Sequence, residues 1–393
     1  MRRAYIAFFG TLILFTGTCW LLVGSFIIGD LAGGWSTLAL IWAACFAPAL
    51  LLFYNVVTGG YPSSLVRCTV FRLFWYSQFL VVMLVPVSIV GFVLGLPFGA
   101  SAAVGRVAVL WGAPILVLLG LWGYAGSKRL VVKHLDAHLP ALPPALDGLR
   151  IVQLSDLHVG PHTSPGHLRR VAEETRRAEP HLIAYTGDQV DDYPRDMEVF
   201  AKYFGDLKAP LGVHAIPGNH DVYAGWPAVR RGLELMGANV LVNRAVPLKH
   251  NGHEFWLAGT GDPAGAQMAR FTKPGESPAP DIALTLSGIP EGAFYMVLAH
   301  NPALFVPLAA RGAPLTLSGH THYGQLAIPA LHWSLASVFL RFAMGAHVVN
   351  SSALYINPGT NYWGIPFRIG TPPEVTVLTL RRSERPGISN GVG

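Results

Sequence analysis

The first part of the chain is a series of long apolar runs separated by short polar segments. The runs cover about 4–29, 35–57, 73–95 and 106–125. Each reaches the roughly 20 residues that a helix needs to cross the hydrocarbon layer of a membrane. A secretory signal peptide is the competing interpretation of the first run, but the run is too long and a second follows at once. The pattern therefore predicts about four transmembrane helices within residues 1–126.

Beyond residue 126 the pattern changes to short apolar runs that alternate with charged, amphipathic segments. Short apolar runs bounded by turn residues predict strands, and the amphipathic segments between them predict helices. In chain order the predicted elements are strand 149–154, helix 167–178, strand 182–185, helix 195–207, and strands 213–216, 239–242, 245–249, 254–258, 353–357 and 375–380. Alternation of strands and helices is typical of an α/β sandwich, which is predicted here for residues 149–382.

The segments that flank this domain lack the alternation. Residues 127–148 contain the cluster Pro140, Pro143 and Pro144, which predicts an extended linker. Residues 383–393 are polar and contain glycine, which predicts a disordered tail. The expected organisation is therefore a membrane bundle, a linker, one α/β domain and a tail.

Composition supports this division and excludes some classes of function. The chain has 393 residues, of which 52% are hydrophobic and 13% charged, and this is too apolar for an ordinary soluble protein. All 15 histidines lie after residue 130. Residues 1–126 contain five arginines and one aspartate, so they contribute four of the six net positive charges. The sequence has no basic run with interleaved aromatic residues, so nucleic-acid binding is not expected.

Basic residues predict the orientation of the apolar runs. They lie before the first run, between the second and the third, and just after the fourth, at Arg2, Arg3, Arg67, Arg72, Lys128 and Arg129. With four spans these positions share one side of the membrane, and the positive-inside rule makes that side cytoplasmic. The prediction is a multi-pass protein of the cell (inner) membrane, in contact with the lipid bilayer, whose α/β domain faces the cytoplasm.

Five blocks of similar chemistry follow the short apolar runs of the second part. They are Asp156-Leu157-His158, Gly187-Asp188, Gly218-Asn219-His220-Asp221, Ala299-His300-Asn301 and Gly319-His320-Thr321-His322. Ligand groups in α/β folds gather where strands end, so these blocks are expected to converge. Carboxylates, imidazoles and one amide suit Mn, Fe or Zn, and the set is too rich in nitrogen for a calcium site.

Single members of these blocks have ordinary alternatives. An aspartate can cap the helix that follows it, and Asn219 can be a turn residue. The apolar run 313–317 predicts a strand, whose alternation would point His320 and His322 the same way. Five such blocks in one order favour a shared metal site over five unrelated uses.

The blocks resemble the signature of the calcineurin-like metallophosphoesterase superfamily, which runs D-x-H, G-D, G-N-H-D, H and G-H-x-H. The resemblance covers roughly residues 148–382. Segments 319–325 and 372–375 are similar to the membrane-anchored branch that includes UDP-diacylglucosamine hydrolases and related phosphodiesterases. The resemblance implies a metallophosphoesterase sandwich of two mixed sheets flanked by helices, with two divalent metal ions (Mn, Fe or Zn) as cofactors.

The resemblance also implies two sets of metal ligands and one further catalytic residue. One metal would be held by carboxylates and imidazoles, namely Asp156, His158, Asp188 and His322. The second would be held by Asp188, Asn219, His300 and His320, so that Asp188 bridges the two. His220 would act on the leaving group instead of binding metal, and Asp221 is expected to orient its ring. Asp191, Asp192 and Asp262 are expected to line the cleft.

The reaction implied by the resemblance is hydrolysis of a phosphodiester or pyrophosphate bond by a metal-activated hydroxide. A membrane anchor shortens the search for a lipid-bearing substrate, so a lipid-linked phosphoester of the UDP-diacylglucosamine type is the leading expectation. The alternatives are a soluble nucleotide substrate, a membrane sensor with a hydrolase output domain, and a metal-binding module without catalysis.

The mostly apolar residues 331–344, which follow the last histidine block, carry the expectation for substrate contacts. If they form a helix, most of its surface is apolar. One interpretation packs that helix into the core of the domain. The other places it in the cytoplasmic leaflet, where it guides an acyl-bearing substrate towards the metals through Trp333, Phe339 and Phe342.

Overall fold

The computed structural model describes residues 2–58, 63–160, 163–191, 193–269 and 277–391. The chain divides into two compact units, Met1–Trp122 and Gly123–Gly393. Asp192, which the sequence places in the cleft, lies outside the described residues.

Four long apolar helices form most of the first unit, and the last of them ends in the second unit. They are α1 (Arg2–Ile27), α2 (Trp35–Thr58), α4 (Arg72–Gly95) and α5 (Ser101–Gly126), and a short helix α3 (Ser64–Val66) precedes α4. All four are long and apolar enough to cross a membrane. The four predicted apolar helices of membrane-spanning length are confirmed.

Small residues and one ion pair organise these helices. A Cβ atom at Gly91 of α4 would lie 2.5 Å from the Cβ atom of Ala108 in α5, so the absence of a side chain allows the two helices to touch. Close approach of this kind is how helices associate in lipid, where the hydrophobic effect does not drive them together. Asp30 and Arg106 form an ion pair at the ends of the apolar segments, so neither charge is left unpaired there.

The second unit contains two mixed sheets. The strands of the first sheet are β1 (Val131–Leu139), β2 (Arg150–Leu154), β3 (Leu182–Tyr185), β4 (Val213–Ala215), β5 (Asn239–Val240), β14 (Glu374–Arg382) and β15 (Gly387–Asn390). Their order across the sheet is β15-β1-β14-β2-β3-β4-β5. Strands β2 to β5 are parallel, so their carboxyl ends share one edge of the sheet.

The second sheet has the same mixed character. Its strands are β6 (Arg244–His250), β7 (His253–Gly259), β8 (Tyr295–Leu298), β9 (Leu315–Ser318), β12 (Gly345–Val349) and β13 (Ser352–Ile356), in the order β12-β13-β9-β8-β7-β6. Strands β7, β8, β9 and β13 are parallel, and β6 and β12 are antiparallel edge strands. A separate two-stranded ribbon pairs β10 (Ala327–Ile328) with β11 (Trp333–Ser334).

The two sheets face each other across one apolar core, and helices cover their outer faces. The helices are α6 (Pro165–Arg177), α7 (Met197–Phe204), α8 (Asn219–Leu235), α9 (Pro263–Met268), α10 (Ile282–Leu286) and α11 (Phe305–Ala309). In β2, Ile151 faces the core between the sheets, while the next residue, Val152, faces the core beneath α6, α7 and α8. This alternation is what a strand buried on both faces requires. The predicted sandwich of two mixed sheets flanked by helices is confirmed.

The structure corrects both predicted boundaries of the domain. Residues 131–139 of the expected linker form β1, which pairs in parallel with β14 along its full length and buries Leu135, Ala137 and Leu139. Residues 387–390 of the expected disordered tail form β15, which pairs with β1. Both strands depend on partners far away in sequence, so local composition carried no signal for them.

The expected helix at 331–344 is also absent. The segment contains β11 and a 3₁₀ turn at Leu335–Val338, which Ser334 caps by accepting a hydrogen bond from the N–H of Ser337 at 3.3 Å. Phe342 is buried against Phe305 in a core of the domain, so it is not available to substrate or lipid. Phe339 remains exposed and Trp333 is half-buried.

Candidate metal centre

The five polar blocks lie at the carboxyl ends of parallel strands in both sheets. The blocks follow β2, β3, β4, β8 and β9, at Asp156, Asp188, Asn219, His300 and His320–His322. Within the sandwich, Nε2 of Gln153 in β2 donates a hydrogen bond to the carbonyl oxygen of Ser318 in β9 at 2.8 Å, which ties the two edges together. The blocks therefore converge, as the position of strand ends in this class of fold predicts.

Asp156, His158 and His322 form the first group of potential ligands. Nε2 of His322 lies 3.2 Å from Oδ1 of Asp156 and 3.0 Å from Nε2 of His158. One ligand atom from each of the three residues lies within 4.8 Å of the others. All three side chains are buried, so the group is shielded from bulk water.

The second group lies next to the first and contains Asp188, Asn219, His300 and His320. Nε2 of His300 lies 3.2 Å from Oδ2 of Asp188 and 3.1 Å from Oδ1 of Asn219. Nδ1 of His320 lies 2.8 Å from the same Asn219 oxygen. Oδ2 of Asp188 is also 3.6 Å from Nε2 of His158, so this carboxylate stands between the two groups.

His320 and His322 reach different groups, which the strand argument did not anticipate. Both residues lie beyond the end of β9, with φ values of 72° and 48°, so the side-chain alternation of a strand does not apply to them. The left-handed backbone turns the ring of His320 towards Asn219 and that of His322 towards Asp156.

Backbone strain is concentrated at the potential ligands. The left-handed region is occupied by five of them, with φ of 52° at Asp156, 39° at His158, 53° at Asp188, 72° at His320 and 48° at His322. Residues other than glycine seldom adopt this conformation, and each instance costs on the order of 1–3 kcal/mol. The two loops hold each other in place, because the N–H of Asp156 donates to Gly187 and that of His158 donates to Asp188.

Asp221 supports the loop after β3 instead of orienting the ring of His220. Its carboxylate accepts hydrogen bonds from four backbone N–H groups, those of Asp188 at 2.9 Å, Gln189 at 2.9 Å, Val190 at 3.2 Å and Gly218 at 2.8 Å. Burial and the charge of Asp188 raise the pKa of Asp221 to about 7, and the N–H donors oppose that rise. The expected contact between Asp221 and the His220 ring is replaced by this backbone role.

The electrostatics of the two groups favour positive charge between them. Burial alone would raise the pKa of Asp156 and Asp188, but His322 beside Asp156 and His300 beside Asp188 lower the two values below their usual range. Burial lowers the pKa of His322 to about 4, which leaves its ring neutral and able to act as a ligand at pH 7. The pKa of His300 is raised in spite of burial because Asp188 stabilises its charged form.

His220 lies beside the groups, within reach of the space in front of them. Nδ1 of His220 lies 3.2 Å from the backbone oxygen of Asp191, and the carboxylate of Asp191 lies 3.3 Å from Nδ1 of His158. The half-exposed rings of Tyr223 and Trp363 lie 5.8 Å and 5.6 Å from the His220 ring. Burial lowers the pKa of His220. The arrangement leaves Nε2 as the ring atom that is free of the contact with Asp191.

The residues present fit a divalent cation. Carboxylates, imidazoles and an amide oxygen form the set that Mn, Fe and Zn prefer. Nε2 of His158 and Nε2 of His322 are only 3.0 Å apart, and two ring nitrogens at that distance need a shared proton or cation. Asp156 and Asp188 are fully buried, and buried carboxylates are stable only beside positive charge.

Sequence analysis missed a segment that closes the site from the side of β13. Residues Asn357–Asn361 follow β13 in the same way that the other blocks follow their strands, and this was the available signal. The buried Arg368 connects the segment to the site by donating to the backbone oxygens of Pro358 at 2.7 Å and His322 at 3.0 Å. Asp262, expected in the cleft, is buried and caps α9 through a hydrogen bond from the N–H of Ala264 at 2.8 Å.

Comparison with known proteins agrees with this geometry. A calcineurin-like phosphoesterase family model matches residues 149–324. A zebrafish transmembrane protein with a metallophosphoesterase domain is 32% identical over 280 residues, which are 68% of this chain and 61% of that protein. A Helicobacter pylori metallophosphoesterase is 30% identical over 269 residues, which are 67% of this chain and 68% of that protein.

The match to the zebrafish protein spans less than two thirds of that protein's length. Among solved structures, a Thermus thermophilus protein has a TM-score of 0.37 and 11% identity over 54% of this chain and 90% of that protein. The family match, the identity to the Helicobacter pylori protein and the grouped ligands agree with one another. The chain belongs to the calcineurin-like metallophosphoesterase family.

Proposed function

We propose that this membrane protein is a dinuclear metal-dependent phosphoesterase that hydrolyses a phosphodiester or pyrophosphate bond of a lipid-linked substrate. The observation that supports the dinuclear centre is the position of Asp188. Its Oδ2 atom lies 3.2 Å from His300 in one group and 3.6 Å from His158 in the other. A carboxylate that faces both groups in this way is able to hold two cations.

Each metal ion has its own set of residues in this proposal. The first would be held by Asp156, His158, Asp188 and His322, and the second by Asp188, Asn219, His300 and His320. Bound metals would supply Lewis acidity at the phosphoryl oxygens and lower the pKa of a water molecule to near neutrality. The buried, preorganised ligands hold the charge of the centre in place and keep bulk water away from it.

His220 serves the leaving group in this proposal. Asp191 fixes its ring through Nδ1, so Nε2 is the atom that faces substrate. Nδ1 donates to the carbonyl oxygen of Asp191, so Nε2 carries a proton only in the charged ring. In that form it donates a proton to the departing oxygen or a hydrogen bond to the phosphoryl group. The exposed rings of Tyr223 and Trp363 beside it supply a flat surface for a planar leaving group.

An exposed apolar surface supports a lipid-linked substrate over a soluble one. We name it the apolar loop, and it consists of Ile328, Leu331, Leu335, Val338, Phe339 and Leu340. Phe339 is 80% exposed and Leu331 is 69% exposed. Contiguous exposed apolar residues of this kind mark a membrane or partner contact. Trp333 lies half-buried at its base, and Phe342 is excluded because it belongs to the core.

Backbone hydrogen bonds connect the apolar loop to the part of α5 that lies in the second unit. From N–H to carbonyl, the pairs are Leu335 to Leu326 at 2.8 Å, Ala327 to Ile369 at 2.9 Å, and Arg368 to Gly123 at 2.8 Å. Gly123 belongs to α5, which is long and apolar enough to cross a membrane. We assign a lipid bilayer as the partner of the loop because its exposed side chains are apolar, and we propose that acyl chains reach the metals along it.

The orientation of the protein follows from its basic residues. We propose that the α/β domain faces the cytoplasm of the cell membrane, because Arg72, Lys128 and Arg129 lie at helix ends on one predicted side. Phosphoester substrates with cytoplasmic nucleotide headgroups are accessible on that side.

The bridging position of Asp188 predicts that Asp188→Asn lowers the occupancy of both metals and abolishes hydrolysis. The substitution keeps the shape of the side chain but removes the charge that both cations need. Elemental analysis of the purified variant, together with an assay on bis-p-nitrophenyl phosphate, measures both effects. The exposed Asp206→Asn is the control and is expected to keep both metals and full activity. Two bound metals with near-normal turnover in Asp188→Asn would refute the bridging role.

The position of His220 predicts that His220→Ala keeps its metals and loses roughly 10²–10⁴-fold in kcat, the usual worth of a general acid. If proton donation is its main task, the loss is smaller for a nitrophenyl ester, whose leaving group needs no proton, than for an alkyl ester. Paired kinetics on the two esters measures this difference. An equal loss on both esters would assign His220 to phosphoryl charge instead, and loss of metal would make it a ligand.

The apolar loop predicts that Phe339→Ser combined with Leu331→Ser lowers kcat/KM for a diacyl pyrophosphate substrate in vesicles by about tenfold or more. Each exposed apolar side chain that enters lipid contributes on the order of 1.5–3 kcal/mol. Hydrolysis of the soluble bis-p-nitrophenyl phosphate is expected to stay unchanged. Leu235→Ser is the matched control, since Leu235 is 83% exposed on α8. A joint fall in both activities and in the melting temperature would identify the loop as structural.

The same assays distinguish a lipid-linked substrate from a soluble nucleotide substrate when nucleotides are added to the panel. Wild-type protein that hydrolyses nucleotides faster than the diacyl substrate, with no effect of the loop variant, would replace the lipid assignment. The bound metals would then still define the enzyme class.

The predicted orientation is measured by reporters fused after Gly393 and after Ala100. A fluorescent protein that folds only in the cytoplasm is expected to be active at the first position, and an exported alkaline phosphatase at the second. In the proposed four-span topology, the two positions lie on opposite sides of the membrane. The reverse pattern would place the α/β domain outside the cytoplasm.

A further inference from the structure

Arg368 is a fully buried cation that does not belong to the proposed set of metal ligands. It has the largest side chain among the fully buried residues, and its guanidinium is always charged at neutral pH. Taking such a charge out of water is costly unless each donor finds an acceptor. Its acceptors therefore show what the fold uses it for.

The guanidinium holds His322 from behind and joins it to the segment after β13. Nη1 donates to the backbone oxygens of His322 at 3.0 Å and Pro358 at 2.7 Å. Nη2 lies 2.9 Å from Nδ1 of His322 and also donates to the backbone oxygen of Asn361. The bond to the carbonyl oxygen fixes the strained backbone of His322, and Nε2 of its ring faces Asp156.

The backbone of Arg368 is in turn fixed by the last turn of α5, which belongs to the same compact unit. Its N–H donates to the carbonyl oxygen of Gly123 at 2.8 Å. A Cβ atom at Gly126 would lie 2.0 Å from the backbone oxygen of Arg368, and one at Gly123 would lie 2.3 Å from the ring of Phe367. These distances are far below van der Waals contact, so only glycine permits the approach.

From these contacts we propose that Arg368 is a positioning residue for the first metal site and that the glycine-bearing end of α5 sets its place. The inference rests on the proposed metal centre. It makes the end of a membrane helix part of the support of one ligand, His322. The second site has no described contact with Arg368, so the effect is specific to the first. Residues that orient metal ligands typically contribute 10–100-fold to metal affinity.

The test compares two alanine variants of the same helix in the full-length protein in detergent. Gly126→Ala introduces the clash with Arg368, whereas Gly120→Ala adds a methyl group where no atom lies within 4 Å. Calorimetric titration of the metal-free proteins with Mn²⁺ measures the two binding steps separately. We expect Gly126→Ala to weaken one step by 10-fold or more and to leave the other unchanged, and Gly120→Ala to match the wild type.

A second pair of variants identifies the affected step and covers a folding failure of Gly126→Ala. Arg368→Lys keeps the charge but loses the planar fork, and is expected to weaken the same single step. His320→Ala is expected to weaken the other step. If Arg368→Lys weakens both steps equally, or lowers only the melting temperature, Arg368 is structural and the inference is wrong. If the wild type shows no metal binding, the proposed function itself fails.

Discussion

The burial of two carboxylates, Asp156 and Asp188, is the constraint on which the rest of the domain depends. Both are out of contact with water, and neither has a lysine or arginine in ion-pair contact among the described residues. Charges in such a place are stable only if other groups neutralise them. Imidazoles from both sheets surround the two carboxylates, and with His322 neutral a bound cation would supply the charge that is still needed. The buried carboxylates and the imidazoles around them therefore make this part of the domain a favourable place for a metal ion.

The potential ligands are held in place by strained backbone conformations, which lower the stability of the domain. Asp156, His158, Asp188, His320 and His322 have left-handed backbones. Such residues persist only where neighbouring structure leaves them no alternative. Here the loops after β2 and β3 bond to each other, Asp221 gathers the N–H groups around Asp188, and Arg368 holds the backbone of His322. The apolar core between the two sheets stabilises the domain and so offsets the cost of this strain.

The end of α5 that lies in the second unit takes part in the structure around the site. In place of the expected linker, α5 ends at Gly126 against Arg368, and the chain then enters β1 of the first sheet. Strand β1 pairs with β14 along its length and buries three side chains in the inter-sheet core. Residues 123–126 of α5, which lie in the second unit, therefore contact the residue that supports His322.

The sequence by itself determined the features that depend on composition and local order. Four apolar runs are long enough to be recognised from hydropathy alone. The polar blocks are recognised because each one follows a short apolar run. The positions of Asp156, Asp188 and Asn219 at strand ends followed from that pattern. Only the tertiary structure decided what depends on distant partners. Strand β1 exists because β14 lies beside it, and Phe342 is core because Phe305 covers it. His320 and His322 face different groups because each ring meets a different neighbour, from β4 and from β2. No local pattern encodes such contacts, since they form between residues that the chain brings together only when both sheets are complete.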